Sequence, residues 1–551
     1  MLLRTEKVFM PNVKDLHCNI LHECHDSPNR CITSSDPVWP HDKLLEMRCV
    51  LTIGTLAIMF ILVEGGTEYN GQEPERIISR GDFPPGFVFG ASSSAYQYEG
   101  AAKVDGRGPT VMDVFAHTPG NIKDNSTGDV ADDQFHRYKT DVELMKDMNL
   151  DAYRLSIGWT RLFPEGRGKK LNQLGVDHYN DVLDTLLKNG LKPYVTLQHF
   201  DVPQALEESY GSLLSTQFVE DYANYAEACF ETFGDRVKNW ITFNEPHIIS
   251  SLGYARGIFP PQRCSAPFGN CTKGNSSTEP YIVAHHYLLA HATAVAIYRT
   301  RFQARQGGII GITLDAESYE PLRNNSKDVA AVQRARDFEL GWFLDPIMFG
   351  KYPTSMQKLV GHRLPKFTKE QIRVVKGSID FIGLNHYSTS YVKALPKPAQ
   401  GSPTGYPTDS QTLQTAYKNG VAIGSQVNGF NIVPRGIRIL VNYVNTRYGD
   451  IPIVITENGI SQTDNGSLSR VEALHDVVRV NYLKGYLSKL ATGIRNGANV
   501  KGYFAWSLLD NWEFRSGYTV RYGLYYVDYK KNLTRYPKDS ALWYKQFLAH
   551  A

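Results

Sequence analysis

Two short apolar runs in this 551-residue chain end in glutamate: Trp240-Ile241-Thr242-Phe243-Asn244-Glu245-Pro246 and Ile453-Val454-Ile455-Thr456-Glu457-Asn458-Gly459. Runs of about four to eight β-branched and aromatic residues read as buried strands. A carboxylate at the C-terminal tip of such a strand faces a rim and not a core. Two carboxylates at the same relative position point to one shared site. One protonated and one ionised carboxyl on opposite faces of a sugar are the minimum equipment for breaking a glycosidic bond, because the acid protonates the leaving oxygen while the carboxylate serves the anomeric carbon. A pair of rim salt bridges is the plainer account of Glu245 and Glu457, but it leaves the polar neighbours described next without a reason.

The elements that must position these residues alternate strand with helix from Phe83 onward. Apolar strand patterns begin near residues 87, 152, 193, 240, 309, 379, 453 and 502, each followed by a helix or by a loop and a helix. Helical periodicity predicts helices over 218–233, 279–302 and 471–494, while 392–430 reads as a long Gly/Pro/Ser/Thr-rich loop. Eight strand–helix units predict the α/β class and a single (β/α)8 TIM barrel with extended loops at the C-terminal face of the strands. An open doubly wound sheet is disfavoured, because no Gly-x-Gly-x-x-Gly follows the first strand. On this count the two glutamates end strands four and seven. Other strand ends are polar as well: Arg154 on strand two, Gln198-His199 on three, Asn385-His386-Tyr387 on six, and Trp506 on eight with Glu513 just beyond. A sugar with several hydroxyls needs this density of donors and acceptors.

Thr242-Phe243-Asn244-Glu245-Pro246 and Ile455-Thr456-Glu457-Asn458-Gly459 resemble the two signatures of glycoside hydrolase family 1, the plant-type β-glucosidases. Matching stretches continue through Ser94–Gly100, Asp105–Pro109, Asp380–Asn385 and Gly502–Ser507, so the resemblance runs from about Phe83 to the C-terminus. It implies a retaining β-glucosidase acting through a covalent glycosyl-enzyme intermediate, with Glu245 as acid/base and Glu457 as nucleophile. It further implies that Gln97, His199, Asn244, Tyr387, Trp506, Glu513 and Phe514 bind substrate, that Arg154 and Asn385 support them, and that neither metal nor cofactor is required. Cys264 and Cys271 bracket a short loop that resembles the disulfide loop of plant members. A transglycosidase would use the same intermediate, and a non-catalytic sugar-binding barrel would not need both carboxylates. Three departures from the family pattern bear on substrate choice. Phe200 follows His199 where the family usually has Trp; Phe514 follows Glu513 where it usually has Trp; and Asn428-Gly429-Phe430-Asn431 stands where many plant members place a Trp against the aglycone. Phenylalanine keeps the surface of tryptophan and loses its N–H donor.

The formal net charge of +3, without a concentrated basic tract, argues against nucleic acid as a partner and leaves a small glycoside or oligosaccharide as the expected ligand. Residues 49–63 form an uncharged, largely apolar run of 15, preceded by Arg48. That length suits the apolar region of a secretory signal better than a membrane span. The reading is therefore an upstream extension over 1–46, a signal peptide or signal anchor over 47–69, and a barrel over 70–551. Four of the seven cysteines, Cys18, Cys24, Cys31 and Cys49, fall before residue 70. Of the rest, Cys264 and Cys271 are the disulfide candidates, and Cys229 sits on an apolar helix stripe as a buried thiol. N-x-Ser/Thr acceptors occur at Asn125, Asn270, Asn275, Asn324, Asn465 and Asn532. Together these features favour the secretory pathway, with cell wall or vacuole as the destination and no stable membrane association once the leader is cleaved. Monomer and homo-oligomer both stay open.

Overall fold

The computed structural model describes residues 78–168, 170–464, 466 and 468–549. Eight parallel strands close into a barrel: β1 (Val88–Ser92), β2 (Ala152–Ser156), β3 (Lys192–Gln198), β4 (Asn239–Asn244), β5 (Ile309–Asp315), β6 (Phe381–Asn385), β7 (Ile453–Asn458) and β8 (Val500–Ala505). Each strand pairs with its sequence neighbours, and β1 pairs with both β2 and β8 to complete the ring. All eight strands stand where the sequence pattern places them, and Ile77–Ala551 forms one compact unit. The leader-like run at 49–63 lies outside the described residues.

Inside the barrel, Val88, Ala152, Tyr194, Ile241, Phe381, Val454 and Phe504 make one apolar cluster, with a residue from each of seven strands. Such a filled interior closes the bottom of the barrel and leaves its C-terminal rim for chemistry. Outside, the helices lay amphipathic faces on the strands. In α1 (Gln217–Phe233) the residues Phe218, Tyr222, Tyr225, Cys229 and Phe233 recur at helical spacing and are buried. Tyr222 stacks on Phe243 at 4.2 Å and donates to the Thr242 carbonyl at 2.6 Å, so α1 holds β4 from behind. Cys229 is a free, buried thiol on this face, as its apolar stripe predicts.

The predicted helix over 279–302 is helical throughout, as α2 (Glu279–Ile297) followed by one π turn, Tyr298–Phe302. Two other expectations need correction. The predicted helix over 471–494 is broken: Arg470–Leu474 is separate from α5 (Val477–Arg495), with α3 (Ser326–Phe338) and α4 (Leu340–Phe349) lying between α2 and it in the chain. The break falls at Asp476, whose carboxylate is taken by Ser540, through its backbone N–H at 2.8 Å and its hydroxyl at 2.6 Å, at the start of α6 (Asp539–Ala549). A tertiary bond thus overrides local periodicity. The stretch over 392–430 is not featureless either. Thr412–Thr415 joins Ser318–Pro321 and Thr389–Ala394 in a three-stranded sheet, and two further short antiparallel pairs follow.

The loop after β8 is held by a buried charge cluster. Asp510 accepts from Lys538 Nζ at 2.6 Å, from Arg521 at 2.8 Å and from the Gly523 backbone at 3.0 Å, and neither Asp510 nor the Lys538 side chain has any exposed surface. Removing Asp510 leaves the Lys538 ammonium buried without the carboxylate that it hydrogen-bonds. Asp510→Ala is therefore expected to destabilise the fold by about 3–5 kcal/mol, read from urea unfolding followed by circular dichroism.

Candidate active site

Both rim glutamates leave their strands at irregularities. The pairing of β4 with β5 shifts register between Ile241 and Asn244, and β7 shifts against both neighbours just before its tip. A bulge re-aims side chains that strict alternation would send to the outer face. Glu245 then adopts a left-handed backbone (φ 44°) ahead of Pro246, which opens a short helical turn. At β7, Gly459 is needed because a Cβ there would lie 1.9 Å from the Trp506 carbonyl oxygen. The chain can therefore pass close under Trp506 without displacing it.

Glu457 is buried and faces two donors. Arg154 pairs with its Oε1, and the Tyr387 hydroxyl donates to its Oε2 at 2.6 Å. Arg154 itself has no exposed surface; it also donates to Asn244 Oδ1 at 2.7 Å and to Thr196 Oγ1 at 3.3 Å. Glu245 has different company. Its Oε1 accepts from Asn385 Nδ2 at 2.8 Å. Its proton affinity is held well above the usual carboxylate range, first by removal from water, then by the negative charges of Glu457 and Asp315. One carboxyl is thus equipped as an anion and the other as an acid.

The remaining predicted residues gather on one side of this pair. Asn244 Nδ2 donates to His199 Nε2 at 3.2 Å, and the His199 ring stacks on Trp506 at 5.9 Å. Burial, and then the Arg154 charge, keep His199 neutral; its Nδ1 has no hydrogen-bond partner among the described residues. Gln97 is fully buried, fixed by the Ser94 hydroxyl at 2.7 Å and donating to Asn511 at 2.9 Å. Trp506 Nε1 donates to Glu513 Oε1 at 3.3 Å, and burial pushes Glu513 up to about 8. Phe200 and Phe514, the two departures that flank this group, touch each other: their rings are 5.4 Å apart, and both have positive φ. Phe430 lies beside Tyr387, with ring centroids 5.7 Å apart.

Sequence reasoning passed over a second set of groups. Asp315, Glu317, Glu339 and His247 line a cavity of about 400 Å³ that also contains Glu245, Asn385 and Tyr387. Asp315 ends β5 in the run Ile312-Thr313-Leu314-Asp315, the same pattern of apolar strand and terminal carboxylate that marked Glu245 and Glu457. That signal was available. Cys264 and Cys271 form a disulfide. Asn125, Asn270, Asn275, Asn324 and Asn532 are exposed, and Asn465 lies outside the described residues.

A protonated carboxyl and a paired carboxylate, set at the tips of strands four and seven among donors suited to hydroxyls, are the equipment of a glycoside-cleaving enzyme. Residues 79–551 match the family model described as glycosyl hydrolase family 1. The chain is 53% identical over 476 residues to β-glucosidase 40 of Arabidopsis thaliana, covering 86% of this chain and 93% of that one. It is 50% identical over 479 residues to coniferin β-glucosidase of Pinus contorta, covering 86% and 93%. Among solved structures, the rice Os3BGlu6 β-glucosidase, captured as a mutant in covalent complex with glucose from GA4GE, superposes with a TM-score of 0.84 at 52% identity, covering 85% of this chain and 99% of that one. The chain belongs to glycosyl hydrolase family 1 and is an O-glycosidase.

Asp315 contributes negative potential at Glu245, so neutralising it should release the Glu245 proton more readily. Asp315→Asn is expected to move the basic limb of the kcat/KM–pH profile for an aryl β-glucoside to lower pH, since that limb reports the acid of the free enzyme. An unmoved limb would show that Asp315 does not govern it.

Proposed function

We propose that the chain is a secreted, retaining β-glucosidase in which Glu457 is the nucleophile and Glu245 the acid/base. It cleaves terminal non-reducing β-D-glucosyl residues from small glycoconjugates or short oligosaccharides. The observation that carries this reading is the contrast between the two carboxyls: Glu457 is met by a guanidinium and a phenol, while burial and the neighbouring negative charges raise the proton affinity of Glu245. In the first step a Glu457 oxygen attacks the anomeric carbon as the glycosidic bond breaks, and Glu245 gives its proton to the departing oxygen. Glu457 is now an ester and carries no charge. The repulsion that raised Glu245 falls away, so Glu245, now ionised, can accept a proton from water as that water attacks the same carbon. The sugar leaves with its configuration retained, Glu457 is an anion again and Glu245 is protonated.

On the glycone side, Gln97, His199, Asn244, Trp506 and Glu513 hold the sugar. The Nδ1–H of His199, left without a partner while Nε2 accepts from Asn244, donates to a sugar hydroxyl, and Glu513 exchanges its bond to the Trp506 indole for one to a hydroxyl. Secretion is supported by the apolar run at 49–63, by the Cys264–Cys271 disulfide and by the exposed acceptor asparagines. Among the described residues no helix is long and apolar enough to cross a membrane.

Glu457→Gln is expected to abolish release of nitrophenol from nitrophenyl β-glucoside, with folding checked by circular dichroism; substantial residual hydrolysis would remove Glu457 from the nucleophile role. Phe514→Trp restores an indole donor beside the glycone pocket. It should raise kcat/KM for the glucoside by the worth of one neutral hydrogen bond, about 0.5–1.5 kcal/mol. Unchanged kinetics would mean that the glucose hydroxyls are already satisfied.

A further inference from the structure

Beyond Glu245, on the side away from Gln97, His199 and Trp506, the cavity wall is acidic. Asp315 ends β5, Glu317 follows two residues later, and Glu339 sits in the break between α3 and α4. A ring nitrogen of His247 and carboxylate oxygens of Asp315 and Glu339 lie within 4.8 Å of one another. Glu339 is only 7% exposed. Its Oε1 accepts from the Glu317 backbone at 3.2 Å, but its Oε2 has no hydrogen-bond partner among the described residues, and neither has Asp315 Oδ1. Buried acceptors without donors are costly and uncommon, and here two belong to side chains that line one cavity. The nearby basic side chains do not supply the missing donors. His247 is engaged at both nitrogens, with Asp315 Oδ2 at 2.5 Å and with the Tyr406 hydroxyl at 2.5 Å. Arg256 stands exposed at the rim and makes no ion pair among the described residues. The strain is visible in the acids themselves: burial, and then mutual repulsion, raise Glu339 well above the ordinary range, and burial lifts Glu317 to about 7.

We propose that this cavity selects aglycones bearing a protonated primary amine, seated between Asp315, Glu317 and Glu339. The proposal rests on reading Glu245 as the acid/base, which places the leaving group on this side. A primary ammonium has three N–H donors. Asp315 Oδ1 and Glu339 Oε2 are unpartnered, and Glu317 has an oxygen beyond the one that Ser390 binds at 3.3 Å. Donor and acceptor numbers therefore match. Tyr406, Phe338 and Phe430 line the same space and offer ring surface to the organic part of the group. A divalent cation is the rival occupant, but it would have to take a nitrogen of His247 from Asp315 or Tyr406. A neutral hydroxyl brings one donor and no charge, so it satisfies one orphaned oxygen at most, and discrimination follows from that mismatch.

A matched pair of substrates tests the proposal: 4-(aminomethyl)phenyl and 4-(hydroxymethyl)phenyl β-D-glucoside, near in shape and different in charge. At pH 7 the wild-type enzyme should use the ammonium member about tenfold better in kcat/KM, mostly through KM, the size of one charge-assisted hydrogen bond. Glu339→Gln should bring the ratio towards one. A wild-type ratio of one or less, or a ratio that survives in Glu339→Gln, overturns the proposal. Turnover of the neutral member alone tests the glycosidase reading, so the two can fail separately. If neither member turns over, isothermal titration of the pair against Glu457→Gln gives the same comparison: about tenfold tighter binding of the ammonium member supports the proposal, and equal binding refutes it. Titration with calcium or manganese chloride closes the rival case, since micromolar binding lost in Glu339→Gln would assign the cluster to a metal ion.

Discussion

The structure at the barrel mouth depends on one guanidinium that has no access to water. Arg154 rises from β2 and pairs with Glu457 on β7, while also donating to Asn244 on β4 and Thr196 on β3. A buried charge without partners is strongly unfavourable, so each of these contacts is required by the others; breaking such a pair from one side typically costs about 3–5 kcal/mol. The network spreads from there. Thr456 donates to Asn385 Oδ1 at 2.7 Å, Thr313 donates to Thr456 at 3.2 Å, and Ser92 donates to the Thr456 carbonyl at 2.8 Å. Seven of the eight strands thus contribute to one polar layer above the apolar plug of the barrel. The layer fixes the position of Glu457 and, through Asn385, of Glu245.

Much of this was legible in the sequence because barrel strands have a short, uniform vocabulary. Apolar runs such as Ile453-Val454-Ile455 cannot stay in water, and a polar residue closing the run must lie at an end. What could not be read was where the alternation breaks. The bulges near Glu245 and Glu457 have no residue signature of their own; they follow from pairing with two neighbours at once. The same limit applies to Asp476, where a bond to Ser540, distant in sequence, ends a helix whose periodicity continues. It applies also to Asp510 and Lys538, which read as ordinary surface charges until the fold buries them together. Phe200 and Phe514 were legible as separate departures. Their contact was not, and it makes them one altered wall: each ring fills space next to the other, so a change at one is felt at both.

The two sides of the cleft are built on different principles. On the side of Gln97, His199 and Trp506, most polar groups are already bonded to one another: Gln97 to Asn511, Trp506 to Glu513, Asn244 to His199. Groups held this way are preorganised, and a ligand is judged by whether it can replace those bonds one for one. On the opposite side, Asp315 Oδ1 and Glu339 Oε2 have no donor among the described residues. A site of that kind rejects a poorly matched ligand mainly through what it leaves unpaired.

Asp315 belongs to both sides of this division. It helps to keep Glu245 protonated in the empty site, and it is one wall of the acidic cavity. A cation seated against Asp315 offsets the negative potential that it projects onto Glu245. Glu245 then holds its proton less tightly at the moment when that proton is needed by the departing oxygen. On the proposed reading, a leaving group that satisfies the cavity strengthens the acid that expels it, while the free enzyme keeps that acid loaded. Recognition and proton transfer are joined through a single carboxylate at the end of β5, with no movement of the barrel required.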